Sequence, residues 1–267
     1  MDPIAKTAYY CCGVRAVDAE RPNPICGDYF AHRFLNAEAR AIVTRFEGFK
    51  GANAANVARH RLIDDLLRER LQASPDLRII LLGAGFDTRA FRLAGGRWVE
   101  LDQPPIAAAK EAELPARDAP NPLQRVAIDF ATERLADKLG PWVGESPSLV
   151  VLEGVTIYLK QPELRATLET LVRALPRHVL ICDLMTSSFV RHGGSINRAF
   201  EELGARYGDT SDNPAAAVAE AGYRLVAQAS VFARARELRA LAIPRVILNT
   251  VLRGLRDGYR VYTFEAL

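Results

Sequence analysis

The sequence is poor in the residues that build metal sites and disulfide frameworks. Its 267 residues include only four cysteines and four histidines. The cysteines are Cys11, Cys12, Cys26 and Cys182, whose spacing fits no common zinc-ligand pattern. The histidines are dispersed and form no H-E-x-x-H motif. We therefore expect no metal, and we expect the adjacent Cys11 and Cys12 to pack within a helix rather than form a redox pair.

Long apolar runs and blocks of one charge sign are also missing. No stretch approaches the roughly 18 to 20 apolar residues of a membrane span, and the first residues, Met1-Asp2-Pro3, do not begin a basic segment followed by an apolar one. The net charge is +3 and the 35 basic residues are scattered, which argues against nucleic acid and membrane partners. With 49% hydrophobic and 25% charged residues, the chain predicts a compact cytoplasmic protein of undetermined oligomeric state.

The first 75 residues have helical periodicity. Apolar residues recur at helical spacing from Ile4 to about Glu20, and Arg21-Pro22-Asn23-Pro24 interrupts the pattern. A strong 3.6-residue period then runs from Asn53 to Gln72. We predict that residues 1–75 form a helical N-terminal cap.

From residue 76 the pattern changes to short apolar runs that alternate with helices. Strands are predicted at 78–83, 97–101, 124–128, 148–153 and 178–183, and helices near 87–92, 104–113, 131–139 and 162–174. This alternation is typical of an α/β, doubly wound, mostly parallel sheet with helices on both faces.

The last third of the sequence has a different organisation. A Gly/Ser-rich lid insertion at about 186–212 precedes a helix at 213–221, a strand at 223–231 and two helices within 233–256. Residues 259–264 are β-prone and suit an antiparallel strand that completes a seven-stranded sheet. Residues 76–267 are thus predicted to form one cofactor-binding core.

The segment L-L-G-A-G-F-D-T-R-A-F-R-L, residues 81–93, carries the first functional signal. Gly83, Ala84 and Gly85 follow a buried strand, where glycine lets the backbone approach a ligand closely. The third glycine of the dinucleotide fingerprint is replaced by Thr88, which disfavours a pyrophosphate cradle. Asp102 ends the next strand and could accept both hydroxyls of a ribose, as found for NAD, FAD and S-adenosylmethionine alike. Its alternative role is a helix cap before Pro104-Pro105.

Three further blocks accompany the segment 81–93 along the chain: A-R-H-R-L-I-D-D (58–65), V-E-L-D-Q-P (99–104) and L-V-V-L-E-G-V-T-I-Y-L (149–159). In this order, the four blocks resemble the leucine carboxyl methyltransferase family and related bacterial class I O-methyltransferases. A weaker similarity runs from residue 7 to residue 35. The resemblance implies a Rossmann-like methyltransferase core that binds S-adenosylmethionine and releases S-adenosylhomocysteine.

The resemblance also implies a set of cofactor-binding residues. The set comprises Arg59, Gly83, Ala84, Gly85, Asp87, Asp102, Gln103, Asp129, Phe130, Glu153 and Gly154. Gly83 and Gly85 would line the methionine portion, Asp102 would hold the ribose, and Asp129 with Phe130 would recognise adenine. Asp87 and Arg89 would brace the glycine turn.

Arg59 and Glu153 are assigned to the amino-acid end of the cofactor. Arg59 would form a two-bond fork with the carboxylate, as a planar guanidinium can, and Glu153 would face the positive charge. Other readings stay open: Arg59 as a solvated helix residue with Arg61 in its place, and Glu153 paired with Arg89, since a buried carboxylate needs a cation. Asp129 could instead cap a helix that begins at residues 131–132.

Methyl transfer is an in-line displacement that needs few catalytic side chains. By family position, Tyr158 would orient the acceptor, although it could equally pack on the sheet. A carboxylate acceptor needs no base, whereas a hydroxyl would gain from one, and His192 in the lid is the best-placed histidine. The lid and the first helix, with Tyr9 and Tyr10, should roof the acceptor pocket.

These observations predict an S-adenosylmethionine-dependent O-methyltransferase. Its acceptor would be a carboxylate or hydroxyl of a small molecule, such as a natural-product intermediate, or of a peptide terminus. A nicotinamide-dependent oxidoreductase on a similar sheet is the alternative, but Thr88 and the lack of a Tyr-x-x-x-Lys pair count against it. A non-catalytic nucleoside-binding protein is a third possibility.

Overall fold

A computed structural model describes residues 3–267, with side chains from residue 6 onward. Met1 and Asp2, which entered the argument about a leader, lie outside the described residues. The helices are α1 (Pro3–Ala19), α2 (Ala37–Phe46), α3 (Lys50–Ala73), α4 (Arg89–Arg92), α5 (Pro104–Glu113), α6 (Leu135–Leu139), α7 (Gln161–Ala174), α8 (Ser187–Arg191), α9 (Ser195–Glu202), α10 (Pro214–Glu220), α11 (Val231–Glu237), α12 (Arg245–Asn249) and α13 (Arg253–Gly258). Within the described part of the chain, no helix combines the length and apolar character needed to cross a membrane.

The strands form one seven-stranded sheet. They are β1 (Arg78–Leu82), β2 (Arg97–Asp102), β3 (Leu123–Ala127), β4 (Ser148–Leu152), β5 (His178–Met185), β6 (Tyr223–Ser230) and β7 (Tyr259–Ala266). Their order is β3-β2-β1-β4-β5-β7-β6, and β7 runs antiparallel to both of its neighbours. The predicted doubly wound sheet with an antiparallel terminal strand is confirmed. Strand order reverses between β1 and β4, so their carboxyl ends open the crevice where such folds bind ligands.

The central strands are apolar because helices cover both of their faces. On β1, Ile79 and Leu81 contact one core while Ile80 and Leu82 contact the other, as the two-residue period of a strand requires. The first of these cores also contains Tyr10 from α1 and residues of α3. The predicted N-terminal cap therefore shares a hydrophobic core with the sheet, and its boundary at residue 75 stays a prediction.

Two predicted helical regions differ in the structure. The helix predicted over 131–139 begins only at Leu135, because the carboxylate of Asp129 accepts hydrogen bonds from the Ala131 N–H and the Thr132 hydroxyl and holds residues 129–132 in a turn. The two helices predicted within 233–256 are three, since Pro244 lacks an N–H and starts α12 as a separate helix.

Candidate active site

The glycine turn after β1 is closed by backbone hydrogen bonds. Gly83 donates to the Leu101 carbonyl over 2.9 Å, and Asp87 donates to the Ala84 carbonyl over 2.9 Å. Gly83 has a φ of +70° and Gly85 a φ of +50°, a region that favours glycine. A Cβ at Gly83 would lie 2.5 Å from Val155 Cγ2. The turn therefore needs glycine for its conformation and for its packing against the loop after β4.

Asp102 faces this turn from the end of β2. Its carboxylate accepts hydrogen bonds from the backbone N–H groups of Gly85 and Gln103, the latter over 2.7 Å. Burial raises its pKa, and these two hydrogen bonds oppose the shift only in part. α5 begins at Pro104 without a side-chain cap, so the helix-cap alternative for Asp102 is wrong. Since a carboxylate offers about four lone-pair sites, two remain for a ligand.

A continuous chain of buried ion pairs lies behind the turn and the carboxyl ends of β4 and β5. We call it the buried ion chain; its members in contact order are Arg15, Asp28, Arg92, Asp64, Arg89 with Asp87, Glu153, Arg59 and Asp183. Four buried guanidinium groups thus alternate with five carboxylates, and a fifth guanidinium, that of the more exposed Arg68, lies 3.6 Å from Asp64.

Arg59 occupies the cavity end of the buried ion chain. It is only 6% exposed, so the alternative of a solvated helix residue is wrong. Its Nε donates to Glu153 over 3.1 Å, and its Nη1 donates to Asp183 over 3.1 Å and to the Tyr259 hydroxyl over 2.7 Å. Among the described residues, the one hydrogen-bond partner of Nη2 is the Cys11 sulfur, at 3.7 Å. Two of the three guanidinium nitrogens that could form the predicted two-bond fork with a ligand carboxylate thus already bind protein groups. Nη2 is the nitrogen left for a ligand.

Its rival Arg61 points elsewhere. Arg61 donates to Asp65 and to the Ile25 carbonyl, both over 2.7 Å. Among the described residues that line the cavity Arg61 is absent, whereas Arg59 is present. The structure therefore favours Arg59 over Arg61 as the arginine of the site.

Glu153 is held by three positively polarised groups. Arg89 Nη1 lies 2.7 Å from its carboxylate, Arg59 Nε 3.1 Å and His60 Nδ1 3.2 Å. Burial opposes ionisation, but Arg89, His60 and Arg59 outweigh it and hold the pKa of Glu153 well below its ordinary value. The Arg89 pairing considered from the sequence is therefore present, and it leaves Glu153 at the wall of the cavity.

The same carboxylate belongs to a group of donor atoms that resembles a metal site. Ligand atoms of His60, Asp87 and Glu153 lie within 4.8 Å of one another. The guanidinium of Arg89 contacts all three residues: it donates to the carboxylate of Asp87, to that of Glu153 over 2.7 Å and to the backbone carbonyl of His60 over 3.0 Å. Because a cation already occupies the centre of this group, it has the character of an ion-pair cluster.

One large cavity runs along the carboxyl ends of the parallel strands, from Asp129 after β3 to Phe232 after β6. Its volume is about 1790 Å³, and it is lined by Arg59, Gly83, Ala84, Gly85, Asp87, Asp102, Gln103, Asp129, Phe130, Glu153, Gly154 and Tyr158. Every residue of the predicted set thus lies on one cavity. Ligand pockets usually measure about 300 to 1,000 Å³, so this one has room for a cofactor and a second molecule.

Asp129 and Phe130 form the end of the cavity beyond β3. In the turn over residues 129–132, both carboxylate oxygens of Asp129 accept hydrogen bonds, one from the Ala131 N–H and one from the Thr132 hydroxyl. These hydrogen bonds lower the pKa of Asp129. Asp129 therefore caps backbone N–H groups, as the alternative reading of the sequence proposed, but it does so in a turn and not at the start of a helix. Phe130 is 44% exposed and offers a ring face at this end.

The opposite end is roofed by aromatic side chains. Tyr158 lies in a 3-10 turn, Thr156–Tyr158, and its ring centre is 6.2 Å from that of Tyr207. Burial raises the pKa of Tyr158 far above its usual value, and a hydrogen bond with Thr7 opposes this in part. Tyr10 lines the cavity as predicted, but Tyr9 stacks on Phe86 at 4.7 Å within the core.

His192 also lines the cavity, near this roof. Its Nδ1 lies 2.6 Å from the Ser188 carbonyl oxygen. A carbonyl can only accept, so Nδ1 carries a hydrogen, and in the neutral imidazole the lone pair is on Nε2. That arrangement suits a proton acceptor.

Comparison with known proteins places the chain in a family. The leucine carboxyl methyltransferase family model matches residues 8–172. The chain belongs to the leucine carboxyl methyltransferase family. This match confirms the resemblance inferred from the four sequence blocks.

Two relatives with similar sequences carry names that refer to methyltransferases. A Parafrankia protein, named as a candidate S-adenosyl-L-methionine-dependent methyltransferase, is 33% identical over 184 residues, which are 64% of this chain and 59% of the relative. The tetracenomycin polyketide synthesis O-methyltransferase TcmP of Streptomyces glaucescens is 27% identical over 206 residues, 75% of this chain and 72% of TcmP. The match thus spans less than two thirds of the Parafrankia relative.

Solved structures support the fold of this family member. A duf574 family protein from Streptomyces avermitilis superposes with a TM-score of 0.61 at 12% identity, covering 94% of this chain and 100% of the other. Magnesium protoporphyrin IX methyltransferase from Synechocystis, solved with S-adenosylhomocysteine, gives a TM-score of 0.52 at 14% identity, covering 90% and 94%. At such identities the likeness concerns the fold alone.

Two residues that hold Arg59 at the candidate site, Asp183 and Tyr259, were not predicted from the sequence. Asp183, 2% exposed at the end of β5, accepts hydrogen bonds from Gly154 N over 2.6 Å, from Tyr259 and from Arg59. A carboxylate after the apolar run His178-Val179-Leu180-Ile181-Cys182 is the same signal that identified Glu153. Tyr259 gave no such signal, because only the insertion of β7 beside β5 brings it to Arg59.

Proposed function

We propose that this protein is an S-adenosylmethionine-dependent O-methyltransferase that acts on a small organic molecule. The observation that carries the proposal is the convergence of the glycine turn, Asp102 and the Arg59–Glu153 pair on one cavity, in a chain that belongs to the leucine carboxyl methyltransferase family. These groups come from α3 and from three neighbouring strand ends, where doubly wound sheets bind ligands.

The residues present fit this cofactor. The glycine turn lets the backbone approach a ligand, and Asp102 keeps two acceptor sites for ribose hydroxyls. Glu153 would face the ammonium, Arg59 Nη2 the carboxylate, and Phe130 the adenine ring. When bound, S-adenosylmethionine supplies a methyl group on a positively charged sulfur.

The chain's own contribution to the reaction is to position the acceptor and keep water out. With its raised pKa, Tyr158 stays protonated near neutral pH, so it orients an acceptor by hydrogen bonding rather than acting as a base. The aromatic roof gives the reacting atoms a dry environment, in which alignment accounts for much of the rate. His192 Nε2 is available for the proton of a hydroxyl acceptor.

A small-molecule acceptor is favoured by the cavity and by one relative. The cavity has room for a second molecule beside the cofactor, and TcmP is named for polyketide synthesis. A peptide terminus is the second candidate acceptor.

An oxidoreductase fits less well. Dinucleotide-binding sheets commonly have the strand order 3-2-1-4-5-6, whereas here the antiparallel β7 lies between β5 and β6. Thr88 also stands where the dinucleotide fingerprint needs glycine.

Calorimetric titration with S-adenosylmethionine, S-adenosylhomocysteine and NAD tests the assignment. We expect both sulfur compounds to bind one site and NAD to give no heat of binding. Binding of NAD without binding of either sulfur compound would overturn the proposal.

A further inference from the structure

The last helices of the chain build one wall of the cavity from apolar side chains. We call it the apolar wall. Within the described part of the chain, the residues beyond position 230 that line the cavity are a glycine, Tyr259 and six apolar residues, namely Phe232, Leu241, Ile243, Val251, Leu252 and Leu255. The Tyr259 hydroxyl already accepts from Arg59 and donates to Asp183. Of the described residues, those of the apolar wall therefore bring a guest neither charge nor an uncommitted polar side chain.

The apolar wall begins beside the groups assigned to the amino-acid end of the cofactor. Arg59 Nη1 lies 2.7 Å from the Tyr259 hydroxyl. The Tyr259 ring centre is 5.6 Å from that of Phe189 on α8, and the Phe189 ring centre is 5.8 Å from that of Phe232. An acceptor that reaches the cofactor near Arg59 therefore meets the apolar wall directly behind its reacting end.

The apolar wall ends where the cavity opens to solvent. Val251 lines the cavity and is also 82% exposed, so it stands at the mouth. Val246 and Ile247 of α12 continue this surface outward, with exposed fractions of 73% and 42%. The N–H groups of Thr250 and Leu252 donate to the carbonyls of Val246 and Ile247, which folds Val251 back beside them. We call Val246, Ile247 and Val251 the apolar lip.

The helices α8 and α9 line the cavity next to the apolar wall, and their polar groups are largely engaged. Asn197 donates to the Val190 carbonyl and accepts from the Tyr207 hydroxyl. His192 Nδ1 binds the Ser188 carbonyl, which leaves Nε2 for the polar end of an acceptor. The other side chains of these helices that line the cavity are apolar: Phe189, Val190, Ile196 and Phe200. Hydrocarbon is the chemistry that this part of the cavity accommodates best.

The apolar lip shows how far such a guest extends. Exposed apolar patches commonly mark ligand grooves, because covering them removes apolar area from water. Here the patch is continuous with the cavity through Val251, which belongs to both. A guest that covers the apolar wall and the apolar lip together has to be long, with its apolar part reaching from the cofactor to the mouth.

We propose that the apolar wall and the apolar lip bind the hydrocarbon chain of an amphiphilic acceptor. The hydroxyl or carboxylate end of this acceptor reaches the cofactor, and its chain leaves the cavity over Val251. This inference rests on the proposed methyltransferase function and adds the chemical class of the acceptor. Val251 is a specificity-determining residue, and it takes no part in bond making.

The test titrates 1-hexanol, 1-octanol and 1-decanol into the protein saturated with S-adenosylhomocysteine. These neutral probes carry the same hydroxyl and differ only in chain length. Calorimetry should give one bound alkanol per protein chain, with Kd falling about fourfold for each added methylene group, as expected when that group is buried.

Val251→Ser removes the apolar side chain at the mouth. Because Val251 is mostly exposed, this substitution leaves the packed core intact. It should weaken 1-decanol binding about fourfold, the worth of roughly one buried methylene group. Binding of 1-hexanol, whose chain ends inside the cavity, and of S-adenosylhomocysteine should stay unchanged.

Val143→Ser is the matched control. Val143 is also an exposed valine that lines the cavity, at 56% exposed. Its neighbours Leu139 and Trp142 belong to the core on the other face of the sheet, whereas the apolar wall belongs to the core that contains Tyr10. This variant should bind all three alkanols as wild type does.

Four calorimetric results would overturn the inference. They are failure of all three alkanols to bind, Kd values that do not depend on chain length, unchanged 1-decanol binding in Val251→Ser, and an equal loss in Val143→Ser. Sedimentation supplies a fifth: a wild-type dimer that Val251→Ser converts to a monomer would make the apolar lip a contact between copies of the chain. Failure of the methyltransferase proposal is distinguishable, because wild type would then bind no S-adenosylhomocysteine in the first titration.

Discussion

Asp183→Asn tests whether the end of the buried ion chain depends on charge. The asparagine keeps the shape of the side chain and can still accept from Gly154, but it removes one of the two carboxylates that face Arg59. Arg59 is almost fully buried, and among the described residues it would keep Glu153 as its one ion-pair partner. Because it also places an amide donor against a guanidinium donor, the substitution should weaken both folding and cofactor binding.

The expected magnitude follows from burial. Removing one partner of a buried ion pair costs roughly 3 to 5 kcal/mol of unfolding free energy. For a chain of this size, each kcal/mol shifts Tm by about 2 to 4 °C, so we expect a fall of roughly 6 to 20 °C. Tyr259→Phe is the matched control: it removes one neutral hydroxyl, which hydrogen-bonds Arg59 and Asp183 in the same cluster, and should cost less, roughly 1.5 to 3 kcal/mol.

Urea unfolding followed by circular dichroism, with calorimetric titration of S-adenosylhomocysteine, measures both effects. If Asp183→Asn costs no more than Tyr259→Phe and binds S-adenosylhomocysteine as wild type does, the negative charge at this position is unnecessary. The account of Arg59 as a residue held by paired carboxylates would then be refuted.

Three further predictions concern the site. Asp102→Ala should weaken S-adenosylhomocysteine binding by roughly 2 to 4 kcal/mol through loss of two charge-assisted hydrogen bonds; an unchanged Kd in calorimetry would remove Asp102 from the site. Tyr158→Phe should lower turnover, measured with the best acceptor from a panel of small organic molecules, by a larger factor than it lowers cofactor affinity; equal turnover would make the hydroxyl structural. Burial, and then Arg89, lower the pKa of His60 below its ordinary value of 6.5. The unfolded chain therefore binds more protons at His60 than the folded chain does, so Tm should decrease as the pH is lowered from about 7.5 to about 5.5. His60→Gln should flatten that dependence in a thermal scan, and parallel curves would contradict it.

Much of the scaffold could be read from the pattern of residues. All seven strands and the helix Pro104–Glu113 were predicted within a few residues. The five parallel strands could be recognised because apolar runs bounded by glycine and proline reflect burial on both faces of a parallel sheet. The helix predicted from residue 131 failed because Asp129 and Thr132 hydrogen-bond locally and compete with helix formation.

The sequence by itself determined the fold class, the glycine turn and the carboxylate Asp102, since each depends on residues close together in the chain. The buried ion chain was decided only by the tertiary structure, because it joins Arg15, Arg59 and Asp183 through pairs up to 124 positions apart. The enclosure of Tyr158 is likewise a property of packing. Local sequence sets the backbone and the burial of each segment, whereas hydrogen-bond partners and pKa values depend on which distant groups the fold brings into contact.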